Sequence, residues 1–463
     1  MMRYCINKTA VLYPLLLLLF LFAVPGIYAE TPSETPLETM TLEDARILAL
    51  ASSRSLAKYQ LSLRSSILDE KSHLYTMLPT VSARYSASMS YFDRNWGFVN
   101  PVDTFTTGLD FAVTQKIFEG GKLFIQRALS KIAAESVRIE ALAEYFNVLD
   151  SIDNAYFSVL ESAATLEAEE SSLQTTLANL AIAQIRRDNG MINHGDFLRT
   201  LAEKEARENS RNQARRNHSL NITKFRSLTS ITKMPELEQI DFNAYEDLIV
   251  LLAGISDEDA FLLYDEFWQA IITSNPSIAS ALLNRQRAEK NLSPARRDYV
   301  PTISATIFSG GIGYSVNDGF GSNSGGGVSI SGSIPLDFWV MRNRIEKSKI
   351  SRDSTVLDYI SAEINLETEL QSALLSLFTY AGSVVHTSLS VDYSEKHFEY
   401  INERYRLSQS SYSDLNEATT LLINSQNSNI RAKYGFLQSL SRLRSLGSFE
   451  DEEKLINLLM VSK

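Results

Sequence analysis

The chain has 463 residues, 44% of them hydrophobic, and 44 Lys and Arg against 55 Asp and Glu give it a net charge of −11. That length fits two or three ordinary domains. The acidic balance argues against a nucleic-acid partner, and the single cysteine, Cys5, excludes a disulfide framework.

Residues 1–29 read as a secretory signal peptide. Arg3 and Lys8 precede a short apolar core, "LLLLLFLFAV" from Leu15 to Val24, and Ala29 offers a cleavage edge. Loss of two basic residues and no acid would take the charge from −11 to −13. Cys5 lies before the core, so no lipid anchor is expected, and a chain without thiols tolerates an oxidising compartment. No other segment reads as a transmembrane helix. A membrane location would therefore have to use strands.

A first repeat is predicted over 30–230: a helix, a β-hairpin at 81–117, a long helix at 120–189 and a helix at 194–230. In the first strand Val81, Ala83, Tyr85, Ala87, Met89 and Tyr91 alternate with Ser82, Arg84, Ser86, Ser88 and Ser90. A long loop from Phe92 to Thr104 holds Trp96, Gly97 and Pro101. In the returning strand Phe105, Leu109, Phe111 and Val113 share one face. At the strand-to-helix boundary, Gly120 and Gly121 let the chain turn. Phe118, with Tyr91, Phe92 and Trp339, reads either as an aromatic at a bilayer edge or as ordinary packing.

The long helix lacks proline and carries a sparse seam, Leu142, Tyr145, Leu149, Ile152, Tyr156, Val159 and Ala163. That is the narrow stripe of a coiled coil, and by itself it favours a rod. At 1.5 Å per residue the helix would reach roughly 100 Å. The break "NGMINHG" (Asn189 to Gly195) leads into "HGDFLRTLAE".

Residues 231–259 form a linker, and a second repeat follows over 260–447, with a hairpin at 302–336, a long helix at 340–407 and a helix at 412–447. The match is direct. "LALASSRSLA" (Leu48 to Ala57) corresponds to "AIITSNPSIA" (Ala270 to Ala279), "LPTVSARYS" (Leu78 to Ser86) to "VPTISATIF" (Val300 to Phe308), and "TQKIFEGGK" (Thr114 to Lys122) to "SIPLDFWVM" (Ser333 to Met341). Such repetition implies a duplicated unit. The alternation slips phase near Phe308 to Gly311, which predicts a bulge. A Gly, Ser and Asn-rich loop is expected from Ser315 to Gly327. Residues 448–463 are a tail.

Each strand has the length that crosses a bilayer when tilted, with apolar-out, polar-in alternation. The alternative is a pair of amphipathic hairpins on a soluble sheet. Four strands cannot close a barrel, and open edges have no partners in lipid. In a membrane, several chains would have to share one barrel, and the helices would continue as an aqueous tube. The histidines His73, His194, His218, His386 and His397 are scattered without metal-ligand spacing, and there is no phosphate loop, nucleophile elbow or zinc signature. No enzymatic activity, cofactor or metal is expected.

From about Thr41 to Gly447 the chain resembles the TolC family of outer-membrane efflux proteins. The carriers are the duplicated layout, the Pro79–Thr80 and Pro301–Thr302 strand starts, "QKIFEGGK", which is similar to the family's Gln-Pro-Leu-Phe-Asp-Gly-Gly, and "YSDLNEATTLLINSQ". The resemblance implies an α+β membrane protein. Each of three copies gives four β-strands to a shared 12-stranded outer-membrane β-barrel, and long α-helices to a periplasmic α-helical barrel. Residues 231–259 and the tail would form a belt around the tube. The implied function is the exit duct of a tripartite efflux pump or type I secretion system. Its partners would be a homotrimer of itself, outer-membrane lipid, a periplasmic adaptor (membrane fusion) protein and an inner-membrane RND, ABC or MFS transporter. Family cargoes include drugs, metals and secreted proteins, and this chain has no methionine or histidine cluster to single out metals. The alternatives from other classes are a structural coiled-coil envelope scaffold and a free-standing diffusion porin.

The same resemblance places the two helix breaks at the periplasmic end of the tube. Asp414 and Glu417 stand in the first turn of a helix, where acids offset the helix dipole and Ser411 or Ser413 could cap. They also match the family's paired acids, which would form two acidic rings at the entrance and favour cations. Tyr405 and Asp196 match an entrance latch on adjacent hairpins, but its arginine position is Ser410, so a different latch is expected, with Arg404 or Arg406 as candidates. Adaptor docking is expected at the tips, through Gly190, Met191 and Ile192 and through Ser408, Gln409 and Ser410, with Ser408 standing where the family has a second glycine.

Overall fold

The computed structural model describes residues 39–90, 104–315, 319–322, 325–449 and 452–460. The expected signal peptide and the loop holding Trp96, Gly97 and Pro101 lie outside the described residues, as do Tyr91 and Phe92.

The chain opens with β1 (Thr39–Met40), α1 (Leu42–Ser52) and α2 (Arg54–Tyr75). It then crosses the sheet with β2 (Thr80–Ser90) and β3 (Thr104–Phe118) and runs down α3 (Lys122–Asp188) and back up α4 (His194–Thr229). A connecting segment holds β4 (Glu236–Leu237) and α5 (Glu246–Ala253). The second half repeats the plan: α6 (Asp257–Ser274), α7 (Pro276–Arg296), β5 (Thr302–Ser315), β6 (Gly319–Ser322), β7 (Gly327–Ser333), α8 (Phe338–Arg406) and α9 (Tyr412–Gly447), followed by α10 (Glu452–Met460).

Local chemistry repeats with the plan. In each half a polar residue interrupts the helix before the sheet. Ser53 accepts from the Leu56 amide to start α2, and Asn275 accepts from Ser277 and Ile278 to start α7. Both satisfy amides that a new helix leaves without partners.

The main sheet has the order β2–β3–β5, with β6 and β7 both antiparallel to β5. β6 and β7 form one interrupted strand. β6 pairs with Ile312 to Ser315, and β7 continues the pairing from Phe308 to Thr302. The expected loop from Ser315 to Gly327 is corrected in part: Ser315 already pairs with Gly319, and Gly319 and Gly321 sit in a strand, while Gly325 and Gly326 do not. The register against β3 shifts between Leu109 and Phe111, opposite Gly310 and Gly311, where the alternation slips in the sequence. The hairpin predicted to reach 336 ends at Ser333, because Pro335 has no amide to give a ladder. Val81, Val113, Ile307 and Val328 form a row across one face, all exposed, and Thr80, Thr114, Thr306 and Ser329 form a row across the other.

Gly120 and Gly121 turn β3 into α3 at φ 61° and 74°, a region side chains avoid. A Cβ on Gly120 would also press on Val300, 3.0 Å away.

α3 has 67 residues and α8 has 69, each about 100 Å long. α2 and α4 pack along α3, α7 and α9 pack along α8, and α3 joins the two halves through α7 and α9. The main apolar core lies around the middle of these helices. There Ile152 and Tyr156 of α3, Phe225 of α4, Leu370 and Leu377 of α8 and Phe436 of α9 meet Leu248 of the connecting segment and Leu455 of α10. The Tyr156 hydroxyl donates to the carbonyls of Met40 and Glu238, at 3.2 and 2.7 Å, and so ties the β1–β4 pair to α3. One 18-residue stretch of α8, with mean hydropathy 1.3, meets the length and composition of a membrane span, which corrects the expectation that no helix would. Leu370, Leu374, Leu377, Ala381 and Val384 of this helix pack into the core.

Candidate functional site

The candidate site is the end of the molecule where both helix pairs reverse. α3 stops because Gly190 enters the left-handed region at φ 70°, which lets the Met191 amide reach the Arg186 carbonyl at 2.7 Å. α8 stops in the same way: Ser408 takes φ 62° and the Gln409 amide reaches the Arg404 carbonyl at 2.8 Å. Ser408 thus adopts the glycine conformation without being glycine, at a cost of about 1 kcal/mol. Met191 is 69% exposed, and Ser408 and Gln409 are also exposed, so each tip presents side chains to solvent.

The acids first serve the helices. Asp196 and Asp414 each stand three residues after a cap. Asn193 accepts from the Asp196 amide and donates to its carboxylate, both at 2.8 Å. Ser411 accepts from the Asp414 amide at 3.1 Å, and its own amide donates to Asp414 Oδ2 at 3.0 Å, closing a capping box. Ser410, at the position of the family's arginine, donates its hydroxyl to the same oxygen at 2.9 Å. The Ser411 amide, then the Ser410 and Ser411 side chains, hold the Asp414 carboxyl below its ordinary range. Asp414 and Glu417 are both exposed on α9.

Tyr405 is only 1% exposed. Its ring lies 4.3 Å beneath the guanidinium of Arg186, and Arg186 Nη2 donates to the Tyr405 carbonyl and, at 3.3 Å, to that of Arg406. Arg186 comes from the end of α3, so it joins the two hairpin tips. Burial pushes the Tyr405 phenol up, against the charge and hydrogen bond of Arg186, while Asp196 adds a smaller upward push. No Tyr405–Asp196 hydrogen bond is formed within the protomer, where the Asp196 carboxylate accepts from Asn193. Tyr405 packs edge-on against Tyr412 at 6.2 Å. Burial pushes the Tyr412 phenol up to about 12, and its side chain bonds to Thr200.

Of the two arginines named as candidates, Arg404 turns back on its own tip, to the Gln409 carbonyl at 3.1 Å, and Arg406 is exposed. Arg186 takes the position against Tyr405 instead. Its only sequence signal is register: it stands four residues before Gly190, as Arg404 stands four before Ser408. At the far end of the helices Phe118 is 45% and Trp339 71% exposed, where the apolar face of the sheet meets the helices.

No curated protein sequence matches the chain. Solved structures do match. The Campylobacter jejuni CmeC outer membrane channel aligns with TM-score 0.72 and 17% identity over 91% of this chain and 89% of that one. The outer-membrane channel OprN gives TM-score 0.71 and 17% identity over 88% and 89%. The outer membrane protein VceC of Vibrio cholerae gives 0.68 and 16% over 88% and 96%. At these identities the likeness speaks for the fold. The model of the family described as outer membrane efflux protein matches residues 46–228 and 268–447, one segment for each half of the duplication and together most of the chain. With its two sheet-and-helix halves, this chain belongs to the outer membrane efflux protein family, the TolC-like channels.

Proposed function

We propose that three copies of this outer-membrane protein close one barrel and one helical tube, and that the assembly is the passive exit duct of a tripartite pump. The observation that carries this reading is the sheet. One face is apolar and exposed, the other is lined by Thr and Ser, and among the described residues β2 ends the sheet on one side and β6 with β7 on the other, each without a further strand. Three such sheets, edge to edge, make a closed wall of twelve strands with lipid outside and water inside. α3 and α8 then carry the water path through the periplasm. A scaffold rod has no use for such a sheet, and a free-standing porin has none for the helices.

The hairpin tips form the entrance. Three copies of Asp414 and Glu417 make rings of negative charge that attract cations. Arg186 and Tyr405 hold the tips together and so resist opening. The tip residues, the exposed Gly190, Met191, Ser408 and Gln409 with the half-buried Ile192 and Ser410, receive a periplasmic adaptor, which couples the duct to an inner-membrane transporter of the RND, ABC or MFS type.

Single-channel currents of the purified protein in a planar bilayer test the reading. A small cation-selective current is expected, with selectivity lost on Asp414→Ala combined with Glu417→Ala. Correctly folded protein that carries no current would overturn the duct.

A further inference from the structure

α6 has two apolar faces. Leu263, Phe267 and Ile271 are fully buried in the core. Glu258, Phe261, Leu262 and Asp265 recur at the spacing of a second helical face, with Glu266 beside them, and all five are exposed. Phe261 is 64% exposed and Leu262 60%. Aromatic surface runs on from Phe261, whose ring lies 6.4 Å from that of Tyr264, and Tyr264 stacks at 15° on Trp268. A surface helix ordinarily buries one apolar stripe and keeps its other side polar. Here two large apolar side chains stand among the acids of the outer side, and neither contributes to the core.

The acids of this face are not answered by the chain. From Met234 to Asn284 the sequence holds ten Asp and Glu and no Lys or Arg. α8, against which α6 packs, holds seven Asp and Glu and no Lys or Arg from Asp353 to Glu395. The basic residues of the other neighbours are engaged elsewhere. On α9, Arg442 faces Glu369 and Asp150, Arg444 faces Asp153, and Lys433 lies over the ring of Phe242. On α7, Arg285 pairs with Glu289. Among the described residues, Glu258, Asp265 and Glu266 form no ion pair. The Tyr264 phenol registers the excess: burial pushes it up, then the charge of Glu367, with a further push from Asp265 and only a bond to Gln371 opposing.

We propose that this face of α6 docks a cationic amphipathic segment of a partner protein, with apolar side chains over Phe261 and Leu262 and Lys or Arg against Glu258, Asp265 and Glu266. Charge complementarity selects the partner and speeds the encounter, and cover for the apolar pair holds it. From Glu258 to Gln269 the face runs about 17 Å along a convex helix, which suits a peptide segment, whereas small solutes bind in concave sites. Anionic lipid and nucleic acid would be repelled. Residues 30–38, which precede β1, carry three Glu and no Lys or Arg, so the chain's own N-terminal segment does not supply the charge.

The probe is a fluorescent amphipathic peptide of Leu and Lys, titrated with the purified protein in nonionic detergent and read by anisotropy, with empty micelles as the blank. Two controls keep half of its chemistry each: a peptide of Leu and Glu, and a peptide of Ser and Lys. Saturable binding of the Leu and Lys peptide is expected, about tenfold weaker when Phe261→Ser is combined with Leu262→Ser, and about tenfold weaker when Glu258→Gln, Asp265→Asn and Glu266→Gln are combined. All five side chains are exposed, so the unfolding midpoint should stay where it is in both variants. No binding, equal binding of either control peptide, or an unchanged affinity in both variants overturns the proposal. Dissociation of the assembly in the Phe261→Ser, Leu262→Ser variant, read as a lower mass, would show that a second copy covers the face, and overturns it too. Binding is read without current, so its failure leaves the duct standing.

Discussion

Arg46 and Asp153, 107 residues apart in sequence, meet in a two-bond salt bridge between α1 and α3, Nε to Oδ1 at 2.7 Å and Nη2 to Oδ2 at 2.8 Å. Asp153 is fully buried, and Ser441 donates to it at 2.9 Å while Arg444 stands 3.4 Å away. Glu452 of α10 lies 3.9 Å from Arg46 and accepts from the Tyr245 hydroxyl at 3.0 Å. One acid on α3 thus gathers α1, α9, the connecting segment and the tail. Removing it strands the buried Arg444 and takes the two-bond partner from the half-buried Arg46. Asp153→Ala is expected to cost about 3–5 kcal/mol, read as a lowered unfolding midpoint, and Asp153→Asn less because it keeps an acceptor.

The tip turns offer a test with opposite signs. Ser408 and Gly190 hold the same left-handed backbone. Ser408→Gly should stabilise the α8–α9 turn by about 1 kcal/mol, and Gly190→Ala should weaken the α3–α4 turn by about as much, although a Cβ there has open space. Urea unfolding midpoints check both. A destabilised Ser408→Gly would mean that the serine hydroxyl matters more than the backbone.

Arg186 bonds to the Tyr405 and Arg406 carbonyls as well as facing the ring. Loss of the phenol oxygen therefore leaves most of the tie intact. Tyr405→Phe should raise single-channel conductance only slightly, and Arg186→Ala should raise it several-fold. Equal conductance in Arg186→Ala and the unaltered protein would remove Arg186 from the latch.

The Asp414 carboxyl is depressed in the fold. The cap it makes contributes stability that is present above the unfolded value, about 3.9, and is lost as pH falls through the lower folded value. The entrance should accordingly keep Asp414's share of its cation preference at pH 4–5. Reversal potentials under a salt gradient, measured against pH, check this. Loss of all preference by pH 5 would count against Asp414 as its source.

Elements with a short sequence period were the legible ones. Odd-numbered apolar residues from Val81 to Met89 announce β2, and the slip near Gly310 and Gly311 announces the register shift, because pleating has a period of two. The caps at Ser411 and Asp414 could also be read, since they involve neighbours three apart. Gly319–Ser322 misled, because glycine and serine mark turns by propensity while pairing to Ile312–Ser315 is decided by the partner strand. Arg186 against Tyr405 and Arg46 against Asp153 are separated by 219 and 107 residues. Nothing in either local pattern distinguishes them from solvated charges.

The free edges of β2 and β7 make each copy's integrity the concern of its neighbours. In the proposed three-copy barrel, a subunit altered at one edge still offers the other, so it would enter a ring and leave it open at a single seam. In a cell making both altered and unaltered subunits, most rings would hold at least one faulty member. Lesions at these edges should behave as dominant, while lesions that unfold a subunit before assembly should be recessive.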